Sequence, residues 1–531
     1  MNRNGTSPVP ENNGNGTLFP FPDADQRERE IETSRAAHKR PRDPLPPKGE
    51  FGLRRGIRPW MANLIAIGGI IGSAYFIGSG YLVSQMGPSV IILYAIGGLI
   101  IWTVMQSFAE LLVNVPRQGN FISYSAEFIS PTWAVGTGWS YWFNWCAYIP
   151  SEAVAGGIIM HVFMPTVPVV IWAIAFLCVI TVLNLIHVGG FGWVESTLAI
   201  VKIGHNVIFC VLAALIVFGI IGAAGFIGTS IVAPPGTNLY DDIFPAGVFV
   251  IITNLAIILV NFQGSEIVGL AAAETQDPKT TVPKACRQVV HRIIRVDILP
   301  ILLLILIIPF SEAGISDSVF SMALEKYGLS QVAAVLSFIV LTAAFSCANS
   351  GFYGAVRALY GLSVEGMAPK IFQRLNKNCV PMIATLFTLL CCWCVLSLWW
   401  FTNGEGELYL WLLSVSAFTG AICWISICWA QVVFRRRVYE RGYTKADIIA
   451  PAPLSPWMPV IIGVILEAVA LAVLAFNPDL SGSLYLSVPV VCIPMIVYWL
   501  GIRWRKIKGI RFLNPEEKSF DELFPDKRAG R

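Results

Sequence analysis

From about residue 60 to residue 505 the chain is a succession of strongly apolar stretches separated by short polar or basic segments. A run of ~20 apolar residues crosses the hydrocarbon layer of a bilayer as one helix. Within that layer a helix satisfies its backbone groups internally, and the pattern therefore predicts an all-α membrane protein. The composition agrees, since 55% of the 531 residues are hydrophobic and 13% charged, too little charge to cover a soluble protein of this size.

Twelve candidate helices fall near 61–82, 89–113, 133–162, 168–187, 197–221, 245–271, 293–310, 331–360, 381–400, 408–433, 456–476 and 483–503. With the N-terminus inside, Arg54, Arg55, Arg58, Arg117, Lys279, Lys284, Arg287, Arg292, Arg295, Lys370, Arg374, Lys377, Arg435, Arg436, Arg437, Arg503, Arg505, Lys506 and Lys508 share one side. The opposite loops carry Lys326 alone. Lys and Arg concentrate on the cytoplasmic side of membrane proteins, so 12 transmembrane helices with both termini cytoplasmic are expected. The segment 222–244, with Pro234, Pro235, Asp241, Asp242 and no basic residue, reads as an extracellular loop.

Residues 1–50 read as a disordered cytoplasmic tail, 51–510 as the transmembrane domain and 511–531 as a second cytoplasmic tail. The region after Met1 is polar, and no cleavable signal is expected. Asn-Gly-Thr sequons at Asn4 and Asn15 carry little weight on the cytoplasmic side. The twelve cysteines lie mostly in apolar runs, such as Cys391, Cys392 and Cys394, and read as small core residues. Nothing has the spacing of a metal site, a nucleophile with its base or a phosphate-binding loop. No cofactor and no nucleic-acid partner are expected.

One span is unusual. NLIAIGGIIGSAYFIGSGYLVSQMG, residues 63–87, has glycine at 68, 69, 72, 78, 80 and 87. Five helices later NFQGSEIVGLAAAETQDP, residues 261–278, is broken in the same way. Interrupted first and sixth helices, each opening a set of five, are the pattern of an inverted-repeat transporter. Backbone groups freed from a helix in hydrocarbon each cost several kcal/mol, so such breaks persist where they line a polar cavity. A half-helix N-terminus suits a carboxylate and unwound carbonyls suit an ammonium, a combination that matches the backbone of any amino acid. For Gly78 and Gly80 close helix packing is an equal reading. Gly69, Ile70, Ile71, Gly72, Ser73 and Ala74, paired with Phe262, Gln263, Gly264 and Ser265, are expected to form the binding site.

At these residues the sequence resembles the amino acid permease family of the amino acid/polyamine/organocation superfamily. IAIGGIIGSAYFIGSG resembles that family's first helix, GWSYWFNW at 138–145 its third, FQGSEIVGLAAAETQDPKTTVPKA at 262–285 its sixth and NSGFYGAVRALYGLSVEGMAPK at 349–370 its eighth. LYLWLLSVSAFTGAICWI at 408–425 is similar to bacterial lysine-specific permeases. The resemblance runs from about residue 52 to 510. It implies a five-plus-five inverted repeat with helices 11 and 12 appended, and proton-coupled amino acid uptake. It further implies that Gly72, Ser73 and Ala74 hold the substrate carboxylate, with Ala74 standing where the family usually has glycine. Phe262, Gln263 and Gly264 would offer carbonyls to the ammonium, with Phe262 or a neighbouring aromatic as a lid.

Charged residues at membrane depth are usually functional. Lys202 lies in ESTLAIVKIGHNVIFC on the fifth helix, and the resemblance places it where sodium sits in sodium-coupled relatives. It is expected to load and unload the coupled proton in contact with the first helix and with Ser346 or Asn349 of the eighth; the alternative is a lysine snorkelling to the cytoplasmic interface. Glu266 follows the sixth-helix break and would bind a cationic side chain, move protons, or cap freed backbone. Glu152 on the third helix, two residues after Pro150, would pair with a cationic substrate or make a packing hydrogen bond. Glu110 is assigned to a cytoplasmic gate or to packing, and His205 to the core.

The leading expectation is a plasma-membrane, multi-pass importer of L-amino acids with protons, leaning to lysine or arginine. The alternatives are an amino acid or amine exchanger and a nutrient sensor with a transporter fold. An enzyme is not expected.

Overall fold

The computed structural model describes residues 71–117, 121–186, 191–221, 240, 243–267, 286, 293–376, 380–402, 404–505 and 518–528. Ile70, the N-terminal tail with its sequons, most of the 222–244 loop, and Arg54, Arg55, Arg58, Lys279, Lys284, Arg287, Arg292, Lys377, Lys506 and Lys508 lie outside these residues. Every regular element among the described residues is helical, and eight helical segments are long and apolar enough to cross a membrane by length and composition.

The first described segment opens on non-helical backbone and leads into a helix start. Ile71 and Gly72 lie outside any helix, a π-helical turn runs over Ala74–Gly78, and helix α1 follows over Ser79–Met86. Gly87, at φ 57, turns the chain in the left-handed region that glycine adopts without strain. Helix α2 (Val90–Asn114) then returns alongside, with Ser79 Oγ and Tyr94 OH 2.5 Å apart across the hairpin.

Helix α3 (Pro131–Phe163) is the central column. The Ser130 hydroxyl accepts from Trp133 N at 3.2 Å and Pro131 opens the first turn, both standard helix starts. The helix is continuous through Pro150. Around α3 pack α4 (Val169–Ile186), α8 (Ser330–Val364), α9 (Met382–Leu396), α10 (Glu405–Glu440) and α12 (Leu484–Arg505). Small residues permit the approach: a Cβ at Gly351 of α8 would stand 2.0 Å from the Trp145 ring of α3. Helix α5 (Phe191–Val217) lies on α8 and on α7, which is Leu299–Ile307 after a π-helical turn Ile293–Ile298. Helix α6 comprises Phe249–Thr253 and Leu255–Val260 and stops at a run of turns over 261–266. Helix α11 (Glu467–Val473) continues from Trp457–Val460 and the π-helical turn Ile461–Leu466.

Both ends of the bundle are tied by polar contacts. At one end Arg435 of α10 grips Glu110 of α2 with two hydrogen bonds of 2.8 and 2.7 Å, and Glu110 also accepts from Ala452 N at 2.5 Å. Glu110 therefore belongs to packing at this basic end. Beside it Arg117 forks onto Glu127 at 2.8 and 2.9 Å and donates to Lys518 O at 2.8 Å. The segment 518–528 docks here: Ser519 and Glu522 form a capping box, Phe520 and Phe524 bury against Phe434, and Arg441 reaches Asp521.

At the other end the turn Phe310–Glu312 packs on α1, and the short helix Val319–Glu325 packs on the Ala74–Gly78 turn. A Cβ on Gly80 would stand 1.9 Å from Gly314 O, so Gly80 is a packing glycine. Tyr81 OH donates to Asp479 Oδ2 at 3.1 Å, and Lys326 pairs with Glu312 at 2.9 Å.

Three of the cysteines read as core residues, Cys178, Cys394 and Cys492, are exposed instead; they sit on helix faces turned away from the bundle, where a small apolar side chain meets lipid as readily as protein.

Candidate functional site

The helix start at Ser73 and the run of turns after Val260 lead to two buried polar clusters joined through α3. At the first break the Ser73 N–H donates to both carboxylate oxygens of Glu152, at 3.1 and 3.0 Å, and both residues are fully buried. The start of a helical turn offers just such a donor, and it has been given a carboxylate. Tyr409 of α10 donates to Ser73 Oγ at 3.2 Å. Gly72 faces the same carboxylate: a Cβ there would stand 2.3 Å from Glu152 Oε1 and 2.8 Å from both Cys347 Sγ and Tyr148 OH. Ala74 is buried one residue beyond.

Beside this seat lies the lysine expected from the sequence. Lys202 is fully buried and does not snorkel; its Nζ is 3.9 Å from Glu195, seven residues earlier on α5. Glu195 accepts in turn from Ser346 of α8. Lys202 is within electrostatic reach of Glu152 as well, and Cys347 stands among all three charged groups. Two carboxyl groups thus face one ammonium in a region closed to water. Asn349, grouped with Ser346 in the sequence reading, accepts from Asn184 of α4 at 3.2 Å.

At the second break Gly264 adopts φ 96, a left-handed conformation that favours glycine, and its N–H donates to Glu266 Oε1 at 3.1 Å. Tyr141 of α3 and Trp424 of α10 each donate to Glu266 at 3.2 Å. Three donors on one carboxylate make Glu266 the clamp of the broken helix. Ser265 Oγ donates to Phe262 O at 2.8 Å, which satisfies a carbonyl freed by the break. Gln263 exchanges hydrogen bonds with Ser416 of α10, at 2.9 Å to its carbonyl and 2.7 Å from its hydroxyl. The Phe262 ring rests against Gly97 and Tyr94 of α2. The aromatics on the Ser73 seat are Tyr148 and Tyr409. His205 packs against Phe76 and Phe320 as a core residue.

This arrangement can hold a small molecule with a carboxylate and a nearby cation, inside a membrane bundle and away from water. Comparison with known proteins gives it a family: residues 62–510 match the family model described as amino acid permease. The chain belongs to the amino acid permease family. Among similar proteins, the amino-acid permease RocC of Bacillus subtilis (strain 168) is 35% identical over 456 residues, covering 85% of this chain and 96% of RocC. The lysine-specific permease LysP of Escherichia coli (strain K12) is 32% identical over 489 residues, 89% of this chain and 97% of LysP. The gamma-aminobutyric acid permease of Bacillus subtilis (strain 168) is 28% identical over 478 residues, 90% of this chain and all of that permease. As an amino acid permease the protein is a multi-pass plasma-membrane transporter of amino acids, not an enzyme.

Several residues of this permease's site escape a reading of the sequence. Glu195 stands seven positions before Lys202, two helical turns and hence the same face, which was a readable signal. Tyr148 is likewise one turn from Glu152. Tyr409, Cys347 and Trp424 reach the site from distant helices, and no local pattern announces them.

Proposed function

We propose that this permease imports L-amino acids together with protons and favours lysine and arginine. The observation that carries the reading is the Glu152 carboxylate held on the freed N–H of Ser73 beside Lys202 and Glu195. A position that already holds one carboxylate in the membrane interior is chemically suited to another. In this reading the substrate carboxylate takes over Ser73, flanked by Ile70, Gly72 and Ala74, and the released Glu152 turns to the substrate's cationic groups. Phe262, Gln263, Gly264 and Ser265 border the site from the second break, where Glu266 holds the backbone in place.

Charge balance supports the proton. Glu152 and Glu195 together exceed Lys202 by one negative charge, and an uncompensated charge in a dry interior is prohibitively costly. A proton supplies the balance in the empty site, with Lys202, Glu195 and Ser346 as the group that responds to it. At ~100 mV one positive charge is worth ~2.3 kcal/mol, and at ~1.4 kcal/mol per decade that supports roughly fifty-fold accumulation. A cationic substrate adds its own charge to this drive. The lean to basic amino acids rests on Glu152 as the carboxylate displaced, since three donors already engage Glu266, and on likeness to a lysine-specific permease.

The same reading includes twelve spans in a five-plus-five inverted repeat, with both termini cytoplasmic. The helix start at Ser73, the run of turns after Val260 and the basic cluster of Arg117, Arg435 and Arg441 support it.

The test is uptake of radiolabelled lysine into proteoliposomes under an imposed proton gradient, competed by arginine and by neutral amino acids. Gradient-driven uptake competed by basic amino acids is expected. Counterflow without net uptake would replace import by exchange, tight binding without turnover would point to a sensor, and equal competition by neutral amino acids would remove the basic preference.

A further inference from the structure

Glu467 opens helix α11 and has no place in the site described above. It is fully buried, and neither of its carboxyl oxygens has a hydrogen-bond partner. No basic side chain among the described residues pairs with it. Two thiols, those of Cys423 and Cys428 of α10, lie within its electrostatic reach. One turn earlier Gly463 draws α11 onto α10, because a Cβ there would stand 2.3 Å from Cys428 Sγ and 3.7 Å from Thr103 of α2. Helix α2 contributes Ser107 beside Cys428, and the α2 carboxylate farther along, Glu110, is already committed to Arg435. Helix α6 also packs on α11, and the titratable group beyond its end is Glu266, which shares Cys423 as a neighbour with Glu467.

An ionised carboxylate without donors in such a place costs far more than the fold can spare, whereas a carboxylic acid is neutral and tolerable. Thiols are weak partners that do not offset a charge. Ionisable groups retained inside a membrane bundle at this cost are by default functional. We propose that Glu467 is a second proton-binding site, separate from Lys202, which carries a proton in the conformation described and is linked through Cys423 to Glu266 at the break of helix α6. A change at that break on substrate binding alters the surroundings of Cys423 and, through it, the proton on Glu467.

Infrared difference spectroscopy of the purified permease tests this. A protonated carboxyl without hydrogen bonds gives a C=O stretch at the high-frequency end of its range, and the band shifts in D2O. The wild type is expected to show this band, with loss in Glu467→Gln, retention in Lys202→Ala, and a change in position on adding lysine. Glu467→Gln is expected to remain as heat-stable as wild type while its pH profile of uptake loses one protonation step. Should Glu467→Gln fail to fold, Glu467→Asp keeps the acid, and the band should move rather than disappear. Absence of the band in wild type, its survival in Glu467→Gln, or indifference to substrate overturns the proposal. Failure of gradient-driven uptake with the band intact counts instead against the proton-import reading.

Discussion

Ser73 and Glu152, 79 residues apart in sequence, meet with the Ser73 N–H donating to both carboxylate oxygens at 3.1 and 3.0 Å. Truncating Glu152 to Ala leaves that buried N–H without an acceptor, a loss of about 1–3 kcal/mol. The empty Glu152→Ala protein should melt below wild type, and saturating substrate should close most of the gap by supplying a carboxylate. A deficit that substrate leaves unchanged would count against Ser73 as the carboxylate seat.

Gly72 has no room to grow, since a Cβ would lie 2.3 Å from Glu152 Oε1 and 2.8 Å from Cys347 Sγ. Gly72→Ala should weaken substrate binding at least ~10-fold, or ~1.4 kcal/mol. Scintillation proximity binding on protein that still elutes as a single gel-filtration peak is the measurement. Unchanged affinity would show that the break tolerates the methyl group.

Lys202 and Glu195 form a pair whose members are unequal to their separate loss. Lys202→Met strands a buried carboxylate, an effect on the order of 3–5 kcal/mol. Lys202→Met with Glu195→Gln removes both charges and should recover most of the thermal stability. Uptake by the double variant should no longer respond to a proton gradient; a preserved response would move coupling away from this pair.

Asp317 lies outside the spans, between α7 and α8, where burial lifts its carboxyl from the ordinary value of 3.8 to about 6, against the opposing bond from Ser318 N. A raised acid is protonated more readily in the folded state. Its ionisation therefore opposes folding as pH climbs from about 4 to 6, and the penalty is complete above that. That rise corresponds to about 3 kcal/mol. Asp317→Asn should flatten the fall in melting temperature over this window and leave the protein more stable than wild type at pH 7. Parallel curves for the two proteins would refute the assignment.

The docked segment 518–528 rests on two phenylalanines, Phe520 and Phe524, both buried. Removing both rings should expose the segment to limited proteolysis and lower the melting temperature, each truncation costing on the order of 3 kcal/mol. Asp447, which bonds Lys527 at 3.1 Å, is held down to about 2 by hydrogen bonds from Thr444 and by that lysine. A depressed acid contributes above its unfolded value and is lost as pH falls toward 2. Docking should therefore persist through mild acid, and release of the segment near pH 5 would contradict it.

Much of this was legible in the residues alone. Apolar length announces membrane helices because hydrocarbon thickness fixes the ruler, and Gly72 and Gly264 mark the two places where the described backbone leaves the helix. Lys202 stands out as a cation in an apolar run. The occupation of Ser73 by Glu152 was not legible, since it depends on how α3 is placed against α1 across 79 residues. The charges of the C-terminal segment give no hint that it docks, whereas Phe520 and Phe524, one turn apart behind the Ser519 cap, do. Glu467 is a lone acid in an apolar run with no sequence partner to mark it, and its meaning lies in the absence of hydrogen-bond donors on its carboxyl oxygens.

The resident carboxylate bears on the timing of the transport cycle. A carrier that has delivered its cargo must reset unloaded before it can work again. Were Ser73 left bare, the return step would carry an extra ~1–3 kcal/mol and run roughly 5 to 150 times more slowly. On the proposed import reading, Glu152 leaves the empty carrier as well satisfied as the full one, so that it recycles alone, and that freedom would separate accumulating a nutrient from trading it one for one.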